Sequence, residues 1–151
     1  MSMRDKISNA LKTAMKARDT ERLAALRLIN AAIKDRDIVA RGEGAPEVSD
    51  AEIITVLTRM VKQRRESARA YEEAARLDLA EKETAEIAVI EDFLPRQMSD
   101  DEIAAAVETA VTETNAASVR DIGRVMGVLK TRHAGEMDFA KAGAAIKARL
   151  G

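Results

Sequence analysis

The fold of this chain is decided by Ser49–Pro95, SDAEIITVLTRMVKQRRESARAYEEAARLDLAEKETAEIAVIEDFLP, which apart from its closing proline lies in the longest run without Gly or Pro. Ser49 and Glu52 have the S-x-x-E spacing of a capping box, in which the hydroxyl takes an orphan amide and the Glu reaches back to the cap. Pro95 closes the stretch, because it lacks a donor and disfavours helix at Leu94. Between these signals Ile53, Leu57, Met60, Tyr71 and Ala75 recur at helical spacing, with Val56 and Val61 beside them. At ~100° per residue Arg64 falls inside the same apolar stripe, so its guanidinium must be paired or reach solvent. The opposite side carries Lys62, Arg65, Arg69 and Arg76. A helix continuing to Leu77 would be about 40 Å long, enough for that basic stripe to follow a phosphate backbone. The plain alternative is a solvated face, with Glu66, Glu72 and Glu73 close enough for surface pairs of ~0.2–0.5 kcal/mol each. Asp78 and Glu81 form a second box, which predicts a break near Asp78 and a following helix that buries Ile87, Ile90 and Phe93.

Outward from this stretch the chain reads as helix throughout. Met3–Ala17 is one helix, with Ile7, Leu11, Ala14 and Met15 on its inner side. Asp19 or Thr20 caps the next, ERLAALRLINAAIKDRDIV, which is apolar over most of its circumference and therefore expected to be buried. Its one exposed edge should be Arg27, Asn30 and Lys34. ARGEGAPEV is expected to be a loop, because Gly42, Gly44 and Pro46 break the periodicity. Its glycines lack the Gly-Lys-Ser/Thr of a phosphate-binding loop, and no strand precedes them.

After Pro95 the composition shifts. Ser99 and Glu102 open a short amphipathic helix with Ile103, Ala106, Val107, Ala110 and Val111 on one side. Ser118 opens VRDIGRVMGVLKTRH, whose Gly123 and Gly127 each cost a helix ~1 kcal/mol relative to Ala. Two glycines four residues apart imply close approach of another backbone, either a neighbouring helix or a bound ligand such as nucleic acid. Lys130, Arg132 and His133 suit the end of that helix, and Gly135 can cap it. Asp138 then caps a last helix with Ala142, Ile146 and Leu150 inward. The chain is thus expected to be all-α, an N-terminal helical bundle over 1–96 and a small three-helix part over 97–151, with a joint at Pro95–Ser99.

The 151 residues suffice for one domain or two small ones, with 46% hydrophobic and only 2% aromatic residues. The core must therefore be Leu, Ile, Val, Ala and Met. Net charge is −1, which favours no class of partner. Its distribution is uneven. Residues 97–117 carry five acidic and no basic side chains, whereas residues 118–151 carry seven basic and three acidic ones. A basic end can hold an anion locally, or simply attract the acidic helix before it. Cysteine is absent, which excludes disulfides and thiolate chemistry and is compatible with the cytoplasm. No run approaches the ~18 apolar residues of a membrane span, and the N-terminus reads as lacking a signal sequence.

No catalytic constellation is visible. His133 is the lone histidine and reads as a capping or solvent residue, so with no Cys the usual zinc set cannot form. The carboxylates lie on helix surfaces without a paired acid and base, and there is no G-x-S-x-G. Neither a metal nor a cofactor is implied.

Three stretches, LRLINAAIKDRDI, MVKQRRESARAYEEAARLDLAEKETAEIAVIEDFLP and SVRDIGRVMGVLKTRHAGEMD, resemble successive signatures of the YqeY family. That family shares a helical domain with the C-terminal tail of GatB, the large subunit of the glutamine-dependent tRNA amidotransferase. The match to GatB is shorter and looser: Gly123, Val125, Met126, Gly127, Lys130, Gly135 and Asp138. The resemblance implies an all-α fold and a tail that holds tRNA without doing chemistry. The chain departs from GatB in lacking the domain that binds ATP and any amidase signature. The resemblance therefore implies a cytoplasmic accessory protein that binds tRNA or a tRNA-handling enzyme. The two alternatives are a component of a glutamine-dependent amidotransferase (a carbon–nitrogen ligase with glutamine as amide donor) active only with partners, and a protein–protein adaptor with no RNA role. Candidate RNA-contacting residues are Arg124, Gly127, Lys130 and Arg132, with Lys62, Arg65 and Arg69 as a second patch. Oligomeric state is not legible.

Overall fold

The computed structural model describes residues 2–45 and 47–151, and among these it contains seven α-helices, one 3-10 turn and no strand. The chain divides into two compact units, Met1–Leu94 and Pro95–Gly151. The all-α expectation holds.

The first unit contains α1 (Met3–Ala17), α2 (Thr20–Gly42), α3 (Asp50–Glu73) and α4 (Leu77–Glu91). Ser2 caps α1, Asp19 caps α2 and Ser49 caps α3, each side-chain oxygen accepting a backbone N–H three residues on. The reciprocal half of the expected box at Ser49 is replaced, because the Glu52 carboxylate lies 3.5 Å from Arg36. The core packs Ile7, Leu26, Ile29, Ile33, Ile53, Leu57 and Ile90, with no aromatic side chain among its fully buried members. Arg64, placed by periodicity inside the apolar stripe, is paired: its Nε lies 3.0 Å from Glu86 of α4.

Several local expectations are corrected. α3 does not run to Leu77, and Asp78 is not a cap. The helix ends in a Schellman motif, with the Arg76 N–H donating to the Tyr71 carbonyl at 2.8 Å and the Ala75 N–H to that of Glu72 at 3.0 Å. Ala75 takes the left-handed conformation at φ 58°, a position that ordinarily calls for Gly. Asp78 therefore sits inside the first turn of α4, where its charge still complements the helix dipole. Of the side chains assigned to α4, Ile90 is buried, Ile87 is half-buried, and Phe93 lies past the helix end. The loop after α2 starts later than expected. Ala40 and Arg41 are helical, and Ala40 is buried. Gly44 turns the chain at φ 90°, and Pro46 lies outside the described residues.

α2 is not buried all round. Leu28, Ile38 and Val39 are exposed, as is Met15 of α1, against the inward position its spacing implies. Asn30, expected on the exposed edge, is half-buried, whereas Arg27 and Lys34 are exposed. The buried side of α2 ends in a polar clasp. The Asp37 carboxylate accepts two hydrogen bonds from the Arg4 guanidinium, both at 2.9 Å, and one from the Val48 N–H at 3.0 Å. The Arg4 bonds, then the Val48 N–H, hold Asp37 below the usual carboxylate range.

The second unit contains α5 (Asp100–Thr114), the 3-10 turn Val119–Asp121, α6 (Ile122–Arg132) and α7 (Phe139–Leu150). Its core is Ile103, Val107, Ala110, Val125, Leu129, Ala142 and Ile146 with their neighbours, while Leu150 is half-buried. Ser99 caps α5 with both halves of the box in place. Ser118 caps the 3-10 turn that leads into α6 rather than α6 itself. The Glu102 carboxylate is held down to about 2, first by Arg96 and then by the Ser99 N–H. No helix of the described residues is long and apolar enough to cross a membrane.

Candidate nucleic-acid interface

Gly123 and Gly127 stand on the outer face of α6. A Cβ added at Gly123 or Gly127 would meet nothing within 4 Å, and both residues are exposed. The first expectation for this pair, close packing against a neighbouring helix, is therefore corrected. The glycine that does pack is Gly143 of α7, where a Cβ would sit 3.3 Å from the Met126 Cε. Gly123 and Gly127 instead bare a strip of helix backbone to the outside, at a cost in helix stability of ~1 kcal/mol each that no contact within the unit offsets.

Beside this strip lies an open groove of about 410 Å³, lined by Arg124, Gly127, Val128, Thr131 and Arg132. The structure thus brings three of the sequence-named residues, Arg124, Gly127 and Arg132, to one surface. At 100° per residue Lys130 falls on the far side of the glycines from the groove. The Thr131 hydroxyl donates to the Gly127 carbonyl at 3.0 Å.

The cations differ in their partners. Arg124 lies 3.1 Å from Asp121 and remains half exposed. Arg132 donates to Glu113 of α5. Lys141 and Arg149 of α7 reach Asp100 and Glu108, each at 2.9 Å. The acidic helix and the basic helices therefore do attract one another, and part of the basic tail is paired within the unit. Lys130 makes no salt bridge with a described residue. Neither does Arg120, an exposed side chain of the 3-10 turn one step N-terminal of the glycine strip. Arg120, read in the sequence only as part of the basic tail, lies in the 3-10 turn that leads into α6.

The second patch is looser. Lys62 and Arg69 are exposed on α3, but Arg65 is half-buried and its Nη2 lies 3.3 Å from Glu91 of α4. Arg76 belongs to the turn rather than to the helix and lies 3.5 Å from Asp78. The continuous stripe expected across α3 is therefore reduced to Lys62 and Arg69 as outward cations. His133 is the C-cap of α6, with Nδ1 3.3 Å from Glu136. Among the described residues no group of three or more His, Asp or Glu could hold a metal ion.

Together these features define an all-helical protein whose second unit presents a bare helix strip among cations. The chain belongs to the Yqey-like protein family, whose model matches residues 4–150. It is also similar to the uncharacterized protein C22F3.15 of Schizosaccharomyces pombe, 30% identical over 94 residues, which cover 62% of this chain and 73% of that protein.

Proposed function

We propose that the chain is a tRNA-binding accessory protein, and that the outer face of α6 is its RNA contact. One observation carries this reading: Gly123 and Gly127 are exposed with open space where a side chain would stand. Helix-weakening residues with no packing role inside the unit are what a surface needs if another backbone is to come close. Arg120, Arg124 and Lys130 surround them with charge suited to phosphates. Arg132 joins them by exchanging Glu113 for a phosphate, an exchange between two exposed anions that costs little. The resemblance to the GatB tail points the same way, and makes a glutamine-dependent amidotransferase or another tRNA-handling enzyme the natural assembly for such a protein. Lys62 and Arg69 are the second contact in this reading.

The test is fluorescence anisotropy with labelled tRNA across several salt concentrations. Affinity should fall with salt at a log–log slope of roughly −0.7 to −0.9 per phosphate contact. Lys130→Ala should reduce that slope by about one unit without discriminating among tRNA sequences. Gly127→Ala should weaken binding by about tenfold, 1.4 kcal/mol, with no change in charge. No binding at low salt, or equal binding by all variants, overturns the reading in favour of an adaptor without an RNA role.

A further inference from the structure

The exposed face of α2 is not used by anything described so far. Ala24, Leu28, Ala31, Asp35, Ile38 and Val39 are all exposed, with Leu28 and Val39 each at 46% and Ile38 at 65%. At 100° per residue these six fall within an arc of roughly 100°, the width of a core-facing stripe, yet no helix of the first unit covers it. Along one edge run Arg27, Lys34 and Arg41 at strict seven-residue spacing, all exposed and none in a salt bridge with a described residue. In heptad terms Leu28, Asp35 and Gly42 alternate with Ala24, Ala31 and Ile38 along a seam, and the three cations occupy the flanking position that selects a partner.

The charge pattern chooses the occupant. Two copies of α2 packed antiparallel would set the row Arg27, Lys34, Arg41 against the same row. Packed parallel in register, Asp35 would meet Asp35 in the seam. Both arrangements oppose like charges. A lipid surface is disfavoured by Asp35 in the middle of the apolar face. A carboxylate-bearing helix satisfies every feature. We propose that α2 docks an acidic amphipathic helix of a partner protein. Its apolar residues cover Leu28, Ile38 and Val39, its carboxylates meet Arg27, Lys34 and Arg41, and one cation opposes Asp35. Ala24, Ala31 and Gly42 keep the near side low enough for helix axes about 8–10 Å apart. Asp35 fixes register, since sliding by one heptad would place it against an apolar residue. The seam is short, α2 being about 34 Å long, so the contact is weak and salt-sensitive unless a second surface adds to it.

The probe is a stapled, fluorescein-labelled helical peptide of about three heptads, with Leu along its seam, one central seam Lys and Glu on both flanks. A second peptide carries Lys in place of every flanking Glu. Anisotropy with the full chain should show the Glu peptide binding at least about tenfold tighter than the Lys peptide. Ile38→Asp should abolish that binding. The triple variant R27E/K34E/R41E should reverse the order of the two peptides. All four positions are exposed, so circular dichroism should stay unchanged. Equal binding of both peptides, binding of neither, or indifference to Ile38→Asp overturns the proposal. So does a dimer in sedimentation that Ile38→Asp dissociates, which makes the occupant a second copy. Binding to anionic vesicles that Ile38→Asp abolishes would make it a membrane.

Discussion

The two units use the same arginine–carboxylate chemistry at different depths. In the first, Arg64 and Glu86 are only 16% and 19% exposed, and Asp37 is nearly enclosed by Arg4 and the Val48 N–H. In the second, Arg149 and Glu108 are 50% and 54% exposed, and Lys141 and Asp100 more so. A half-buried pair leaves an uncompensated charge when one partner is removed, whereas an exposed pair contributes ~0–1 kcal/mol and is screened by salt. Arg4 and Arg64 of the first unit therefore hold helices together. The arginines of the second can trade a carboxylate for another anion at little cost, which is what an electrostatic contact surface requires.

The cores offer the sharpest way to test that contrast. Leu57 and Leu129 are both fully buried, and truncating either to Ala should destabilise by about 2–5 kcal/mol. The smaller unit buries a lower fraction of its surface and has less reserve. Leu129→Ala is thus expected to expose amides throughout 95–151 to hydrogen exchange while 2–94 keep their protection. Simultaneous loss of protection in both would end the comparison of two separately stabilised units.

The clasp comes next. Asp37→Asn keeps an acceptor for Val48 but removes the charge opposite Arg4, and should cost about 2 kcal/mol in urea unfolding, discounted for the part-exposed Arg4. Its pH dependence has a definite sign. The Asp37 carboxyl lies below its ordinary value of 3.8 in the folded chain. Its contribution is therefore complete above that value and is lost as pH falls through the lowered one. Glu102 behaves alike in the second unit, its window running from 4.5 down to about 2. Asp37→Asn should flatten the acid limb of the first unit and leave that of the second unchanged.

The smallest effect concerns glycines within one unit. Gly127→Ala should raise stability by up to about 1 kcal/mol, because the methyl enters open space. Gly143→Ala should gain less, since the Met126 Cε must give way. Thermal unfolding of the two variants ranks them. A destabilised Gly127→Ala would mean that the strip has a packing role after all.

Helix number and most helix starts were legible because caps and periodicity are local: Ser49, Ser99 and Asp138 each name the helix they open, whereas Asp78 and Ser118 misplace the starts of α4 and α6. The end of α3 was not, because its turn rests on Ala75, the best helix former in a left-handed position, with no Gly or Asn to mark it. The burial of α2 was misjudged for a different reason. Apolar periodicity says which faces avoid water, not whether this chain supplies a neighbour for each, and Leu28 and Ile38 have none here. For the α6 surface, the sequence named Arg124, Gly127 and Arg132, but whether the glycines faced inward depended on where α5 and α7 lie. Pairing between Arg65 and Glu91 was equally hidden, since it joins residues far apart in the chain.

The Met126–Gly143 contact has a redox consequence. With no cysteine in the chain, its seven methionines are the main thioether targets for peroxide. Met126 is half-buried, and its terminal methyl fills the hollow left by Gly143. Oxidation of its sulfur would set a polar oxygen beside that hollow, stiffen the side chain and pry α6 from α7. Because α6 also carries the bare strip roughly 80° round from Met126, oxidative damage at this contact would be felt at the strip, and enzymatic reduction of the sulfoxide would restore it.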